Sequence, residues 1–186
     1  MEFSKVAELY EKIENTTKRL EMTDHLVSLF KETPSQIIDK VVYLTQGKLY
    51  PDYLGIELGM AERMAIDAIS MASLVAKKEI NQLYKKVGDL GLTAEELMKG
   101  RLPSVKALPV EDVYSTLAEI AHTSGKGSNE MKVKLLANLL RRCSPKEARY
   151  ILRIVTGKLR LGIGDMTILD ALAVSYTEDK SNRSLL

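Results

Sequence analysis

Apolar positions recur at three- and four-residue spacing along nearly the whole chain. Phe3, Val6, Leu9, Tyr10 and Ile13 set the rhythm, which returns in Leu135, Leu136, Leu139 and Leu140 and again in Ile168, Leu169 and Leu172. That spacing lines one face of an α-helix. No stretch alternates apolar with polar between turn residues, as a half-buried strand would. The pattern predicts an all-α fold. Helix starts are expected at Thr33-Pro34-Ser35-Gln36 and Ser144-Pro145-Lys146-Glu147, which read as capping boxes with proline at the first helical position. A third box, Thr93-Ala94-Glu95-Glu96, is expected to open a short helix. Gly88, Gly91, Gly100, Pro103 and Pro109 interrupt the periodicity and predict a connector over about 88–109, between helical halves over about 1–87 and 110–177 of one domain.

The halves carry the same features in the same order. In the first, Leu29-Phe30 leads to the Thr33-Pro34 start, a helix ending Val42-Tyr43-Leu44-Thr45, and Gly47-Lys48-Leu49. In the second, Leu139-Leu140 leads to Ser144-Pro145, a helix ending Leu152-Arg153-Ile154-Val155-Thr156, and Gly157-Lys158-Leu159. Leu54-Gly55-Ile56 then matches Leu161-Gly162-Ile163, and Ile66-Asp67-Ala68-Ile69 matches Leu169-Asp170-Ala171-Leu172. The offset of about 103 to 111 residues reads as a diverged duplication with pseudo-symmetric halves and glycine-rich turns at helix N-termini.

Composition narrows the class. Over 186 residues, 45% are hydrophobic and 28% charged, an ordinary globular mix with an aliphatic core, since aromatics are 5% and tryptophan is absent. Met60, Met64 and Met71 read as core residues. No apolar run approaches the roughly 18 residues of a membrane span, and Met1-Glu2-Phe3-Ser4 does not begin a signal peptide. The single cysteine, Cys143, fits a reducing, cytoplasmic setting and reads as a packed residue near a helix end. The net charge of +2 hides a basic block, because Gly125 to Arg160 holds ten Lys/Arg against two acids. A local excess of that kind suits a polyanionic partner.

Three glycine-bearing segments carry the candidate chemistry. Gly157-Lys158-Leu159-Arg160-Leu161-Gly162-Ile163-Gly164 precedes a helix expected near Asp165. Glycines permit close approach of backbone to a phosphate, helix N–H groups can bind it, and Lys158 and Arg160 add charge. Asp165 opposes this, as a carboxylate that would cap the helix and repel phosphate. Gly47-Lys48-Leu49, with Gly55 and Gly59, is a less basic counterpart containing Asp52 and Glu57. Tyr50 and Tyr53 there read as packing residues, with contact to a sugar as the alternative. Ser124-Gly125-Lys126-Gly127-Ser128-Asn129 leads into a helix bearing Lys132 and Lys134 and reads as an anion nest. Its spacing is not that of a P-loop, so no ATP site is expected there. The histidines are His25 and His122, which with one cysteine give no metal site, and no carboxylate pair is placed for acid–base work.

Thr123-Ser124-Gly125-Lys126-Gly127-Ser128 with Lys132-Val133-Lys134-Leu135-Leu136, and Tyr150 through Gly162, resemble two stretches of the N-terminal domain of archaeal-type ATP-dependent DNA ligases. The resemblance extends over nearly the whole chain. It implies a sequence-independent DNA-binding domain lying against the minor groove of nicked duplex and acting with nucleotidyltransferase and OB-fold domains beyond residue 186. Its phosphate-contacting turns would be Gly47-Lys48, Lys126-Gly127-Ser128 and Gly157-Lys158-Leu159-Arg160. The Lys-x-Asp-Gly segment of the adenylated lysine does not occur in these residues, so the chain itself is expected to be non-catalytic and cofactor-free, with ATP and Mg required by the longer parent. Ser184-Leu185-Leu186 is expected to fall inside a helix opening near Asn182, as in a fragment of a longer chain. Archaeal relatives often carry a sliding-clamp motif with paired aromatics, but Met98 to Pro109 has no aromatic, so weak or absent clamp binding is expected. The rival readings are a helical protein-interaction scaffold, which needs no basic glycine turns, and a self-contained enzyme, for which no constellation is present.

Overall fold

Helix α9 (Pro145–Val155) starts as its sequence dictates. Pro145 takes the first helical position, Ser144 Oγ accepts the Glu147 N–H at 3.3 Å, and the Glu147 carboxylate accepts the Ser144 N–H at 2.7 Å. Tyr150, Ile151, Leu152, Ile154 and Val155 are all buried, so this helix faces protein on every side. The other helices are arranged around it in a computed structural model that describes residues 1–100, 107–179 and 181. They are α1 (Phe3–Glu14), α2 (Arg19–Glu32), α3 (Ile38–Thr45), α4 (Glu62–Ser73), α5 (Lys77–Val87), α6 (Leu90–Met98), α7 (Val110–His122), α8 (Ser128–Arg142) and α10 (Asp165–Thr177). Among the described residues there is no sheet, only one isolated antiparallel bridge between Glu2 and Pro109. The all-α expectation holds. No helix among these residues is long and apolar enough to cross a membrane.

Packing runs reciprocally between the halves. Helix α4 lies along α8 and α10 lies along α2, so the helix that follows each glycine turn packs on a helix distant in sequence. Helix α1 packs on α2 and α9, while α7 packs on α8 and α3. Helix α6 makes the broadest contact of all with α9. It comes so close that a Cβ on Gly91 would stand 2.5 Å from the Arg149 carbonyl oxygen.

Three local expectations are corrected. Thr33 does not cap a helix: its hydroxyl donates back to the Leu29 carbonyl at 2.7 Å, and a single 3-10 turn, Ser35–Ile37, intervenes before α3. Thr93 lies inside α6, which begins three residues earlier because Asp89 Oδ1 accepts the Leu92 N–H at 2.7 Å and fixes the start. The interval around 88–109 therefore contains a helix pressed on α9. Met60 is buried, but Met71 is exposed, since the α4 core stripe is Ala65, Ile66, Ala68, Ile69 and Ala72. Cys143 is buried as expected, and burial pushes its thiol well up. Residues 101–106, within the stretch considered for clamp binding, and the helix start near Asn182 lie outside the described residues.

Two arginines sit inside the molecule on α9. The Glu14 carboxylate accepts Arg149 at 2.7 Å and the Tyr150 hydroxyl at 2.8 Å, and it also pairs with Arg153. Arg153 Nε reaches Asp89 at 3.0 Å and Arg149 reaches Glu95 at 3.4 Å, so α1, α6 and α9 meet in one polar cluster. Tyr10 packs edge-on against Tyr150 at 5.4 Å. Removing the carboxylate leaves two guanidinium groups, 15% and 11% exposed, without their main partner. Glu14→Ala is expected to destabilise the fold by about 3–5 kcal/mol in urea unfolding, and a loss under about 1 kcal/mol would contradict this account. Burial pushes the Tyr10 and Tyr150 phenols far up, with the Glu14 hydrogen bond adding to Tyr150, and takes Tyr114 up to about 12. The fold thus prefers these phenols protonated. Stability should be insensitive to their titration below about pH 10, the ordinary tyrosine value, and fall as pH rises above it. Alkaline titration followed by phenolate absorbance and circular dichroism checks this, with these rings expected to ionise only as the helices melt.

Candidate nucleic-acid interface

The two glycine turns begin as helix terminators. At the end of α3, the Gly47 N–H donates to Leu44 at 3.0 Å and the Lys48 N–H to Tyr43 at 2.9 Å. At the end of α9, the Gly157 N–H donates to Ile154 at 3.0 Å and the Lys158 N–H to Arg153 at 2.7 Å. These are Schellman closures, and they need the left-handed backbone seen at Gly47 (φ +72°) and Gly157 (φ +67°). Their glycines therefore answer first to helix ending, a role distinct from the close phosphate approach that the sequence suggests.

The structure brings the two turns into contact. A Cβ on Gly47 would lie 3.5 Å from Leu159 Cβ, the Met60 N–H donates to the Val155 carbonyl at 2.9 Å, and Leu49 and Leu159 are both buried. Lys158 Nζ crosses to Glu62 at 3.1 Å. Gln46 donates to Asp165 at 3.0 Å. Asp165 is thus no cap: Gly164 holds the N-cap position of α10 without a side-chain acceptor, and Gly162, at φ +70°, is exposed just before it. The third segment joins from the other side. Gly127 (φ +82°) is the N-cap of α8 and Ser128 its first residue, again with no side-chain acceptor. His122, at the end of α7, meets the Tyr50 hydroxyl at 3.2 Å, and Arg63 and Met64 of α4 flank a hollow shared with Asn129 and Val133 of α8. All three predicted segments therefore form a continuous run of turns at which α4, α8 and α10 begin.

The basic block is less exposed than its sequence suggests. Arg149 and Arg153 belong to the interior cluster, Lys146 pairs with Glu11 at 2.6 Å, and Arg142 pairs with Asp112. Lys134 is held by Glu130 at 2.7 Å, and Lys48 by Asp52 at 2.7 Å. Lys126 and Arg160 are exposed, Lys132 is half-buried, and none of the three makes an ion pair or hydrogen bond among the described residues. Glu62 was missed by sequence reasoning. The Tyr84 hydroxyl and Lys158 both bond its carboxylate and hold it below the usual range. Tyr50 packs as expected, edge-on to Tyr114 and His122, but Tyr53 is 85% exposed rather than packed. Among the described residues no group of three metal-ligating side chains exists.

The chain matches the family described as DNA ligase N terminus over residues 2–173. It is 52% identical over 194 residues to the "DNA ligase 2" of Thermofilum pendens, covering 99% of this chain and 32% of that protein. It is 48% identical to the "DNA ligase" of Nitrosopumilus maritimus, over 100% of this chain and 32% of that one, and 48% identical to the "DNA ligase" of Hyperthermus butylicus, over 100% and 33%. The chain thus spans about a third of the length of these relatives.

The turn geometry yields a test of its own. A Cβ on Gly157 would meet nothing within 4 Å, so substitution there carries only the backbone penalty of a left-handed residue. Gly157→Ala is expected to destabilise by about 1–2 kcal/mol, and Gly157→Asn by less, because asparagine tolerates this region. Urea midpoints of the two variants check it, and equal losses would show that space rather than φ controls the position.

Proposed function

The chain belongs to the DNA ligase N-terminus family, and from that membership we propose that it is a sequence-independent duplex-binding module. It holds nicked DNA through backbone phosphates in the minor groove while the remainder of a longer ligase, using ATP and Mg, seals the nick. The observation that carries this reading is the run of three glycine-bearing turns, with exposed Lys126 and Arg160 and the starts of α8 and α10, which no side chain caps, along it. Free N–H groups of a helix start and mobile cations bind phosphate without reading bases. Gly47, Lys48, Lys126, Gly127, Ser128, Lys132, Gly157, Lys158, Arg160, Gly162 and Gly164 remain the proposed contact set, with unequal roles. Lys48 and Lys158 reach a phosphate only by leaving Asp52 and Glu62, whereas Lys126 and Arg160 need leave nothing.

Lys158→Ala with Arg160→Ala is expected to weaken binding to duplexes of any sequence by a similar factor. The slope of log K against log salt should fall by about 0.9 for each phosphate no longer neutralised. Of the single changes, Arg160→Ala should weaken binding more. Glu62→Gln, which releases Lys158, should tighten it. Both cationic side chains are exposed, so stability should move by about 0.5 kcal/mol or less. Fluorescence anisotropy at two salt concentrations reads these effects. A double variant with wild-type affinity and slope would make the second turn a structural cap and remove the main site.

A further inference from the structure

The helix that follows each glycine turn starts with an acid. Glu62 is the first residue of α4 and Asp165 the first of α10. They are counterparts, because each stands four residues before the matched segments Ile66-Asp67-Ala68-Ile69 and Leu169-Asp170-Ala171-Leu172. Both reach across to the opposite turn. Glu62 takes Lys158 of the second turn at 3.1 Å. Asp165 takes the side-chain amide of Gln46, which ends α3 beside Gly47 of the first turn, at 3.0 Å. What the two carboxylates hold is different. Lys158 neutralises Glu62, whereas Gln46 is uncharged and fixes the Asp165 carboxylate without cancelling its charge. Asp165 is exposed, makes no ion pair among the described residues, and lines one hollow with Gly162, Gly164 and Arg19. The helix dipole favours an acid in a first turn by itself. That accounts for the acids being there, but not for the bonds both make across to the opposite turn.

We infer that Asp165 is an internal competitor for phosphate at the second turn, the counterpart of Glu62, held in place by Gln46 from the other half. The inference rests on the DNA-holding reading above and concerns how strongly the turns hold, not where the duplex lies. Gly162 and Gly164 belong to the proposed contact set, and the Arg19 side chain in the same hollow draws an anion inward. A fixed carboxylate there repels it. The two acids lower affinity by separate routes: Glu62 occupies a cation, and Asp165 adds a negative charge that nothing cancels. Differences in affinity within one interface lie mostly in the dissociation rate, so the pair speeds release of the duplex.

Asp165→Asn removes the charge and keeps an acceptor for Gln46. It should tighten duplex binding roughly two- to fivefold at low salt, with slower dissociation, and the gain should shrink as added salt screens the repulsion. Gln46→Ala removes the tie and leaves the charge, so its affinity should not exceed that of the wild type. Glu62→Gln combined with Asp165→Asn should show the product of the two single gains, because the acids act on separate charges. Fluorescence anisotropy of the 186-residue chain with a duplex oligonucleotide at two salt concentrations, followed by a competitor chase, reads all of these. Urea midpoints establish that each variant is folded. An Asp165→Asn affinity equal to the wild type at low salt overturns the inference and leaves Asp165 as a helix-start residue alone. So does a gain that persists undiminished at high salt, or a Gln46→Ala variant that tightens as much as Asp165→Asn. Failure of the wild-type chain to bind duplex at all removes the DNA-holding reading instead, and is seen in the wild-type titration before any variant is compared.

Discussion

Everything else in the molecule depends on how two charged side chains are accommodated on its most buried helix. Arg149 and Arg153 project from α9 into the space between α1 and α6, where Glu14, Asp89 and Glu95 receive them. Such a cluster adds little net stability, because desolvating the charges offsets most of their attraction. Its effect is on register. Turning or sliding α9 by one residue would set a guanidinium against Leu or Ile side chains and leave Glu14 unanswered. Helix α9 is also the helix that ends in Gly157, and the Arg153 carbonyl accepts the Lys158 N–H that starts the second turn. The polar cluster and the second glycine turn thus share a residue, and fixing the first fixes the second.

From that anchored helix the reciprocal packing carries position outward. Helix α10 follows the second turn and lies on α2, while α4 follows the first turn and lies on α8. Each turn is therefore held at both ends by helices from different halves. The ion pairs across the turns are of another kind. Lys48 with Asp52 and Lys158 with Glu62 are pairs whose side chains are 40% exposed or more. Exposed pairs are worth about 0–1 kcal/mol, so a lysine can exchange its carboxylate for a phosphate at small cost while the backbone beneath it stays put.

The fold is legible in the sequence where its causes are local. The aliphatic stripe of α1 and the Ser144 capping box depend on residues within one or two turns of each other, and both form as the sequence implies. The Thr33 and Thr93 boxes do not form because a better local arrangement exists: a hydroxyl bonding back to Leu29 in one case, an aspartate cap four residues upstream in the other. The glycine turns are visible in the sequence, but the free charge around them is smaller than the composition suggests. Counting cations from Gly125 to Arg160 cannot show that Arg149 and Arg153 are met by a carboxylate on α1, more than a hundred residues away. Long-range pairing also hides Glu62, and nothing in its sequence context marks it as the partner of Lys158.

The two turns differ in one respect that bears directly on what each can do. Both start with the same helix closure and both pass through Leu-Gly-Ile, so their backbones are set up alike at each end. Between those ends the second turn has a single residue, Arg160, whereas the first inserts a proline-led 3-10 turn that lifts Tyr53 into solvent. One turn therefore offers a mobile cation and the other a rigid apolar surface. Against a polyanion these act differently: the cation's contribution fades with added salt, and the apolar contact persists. Two turns closed by the same helix ending thus present different side chains, and the difference lies in the four residues Tyr50-Pro51-Asp52-Tyr53.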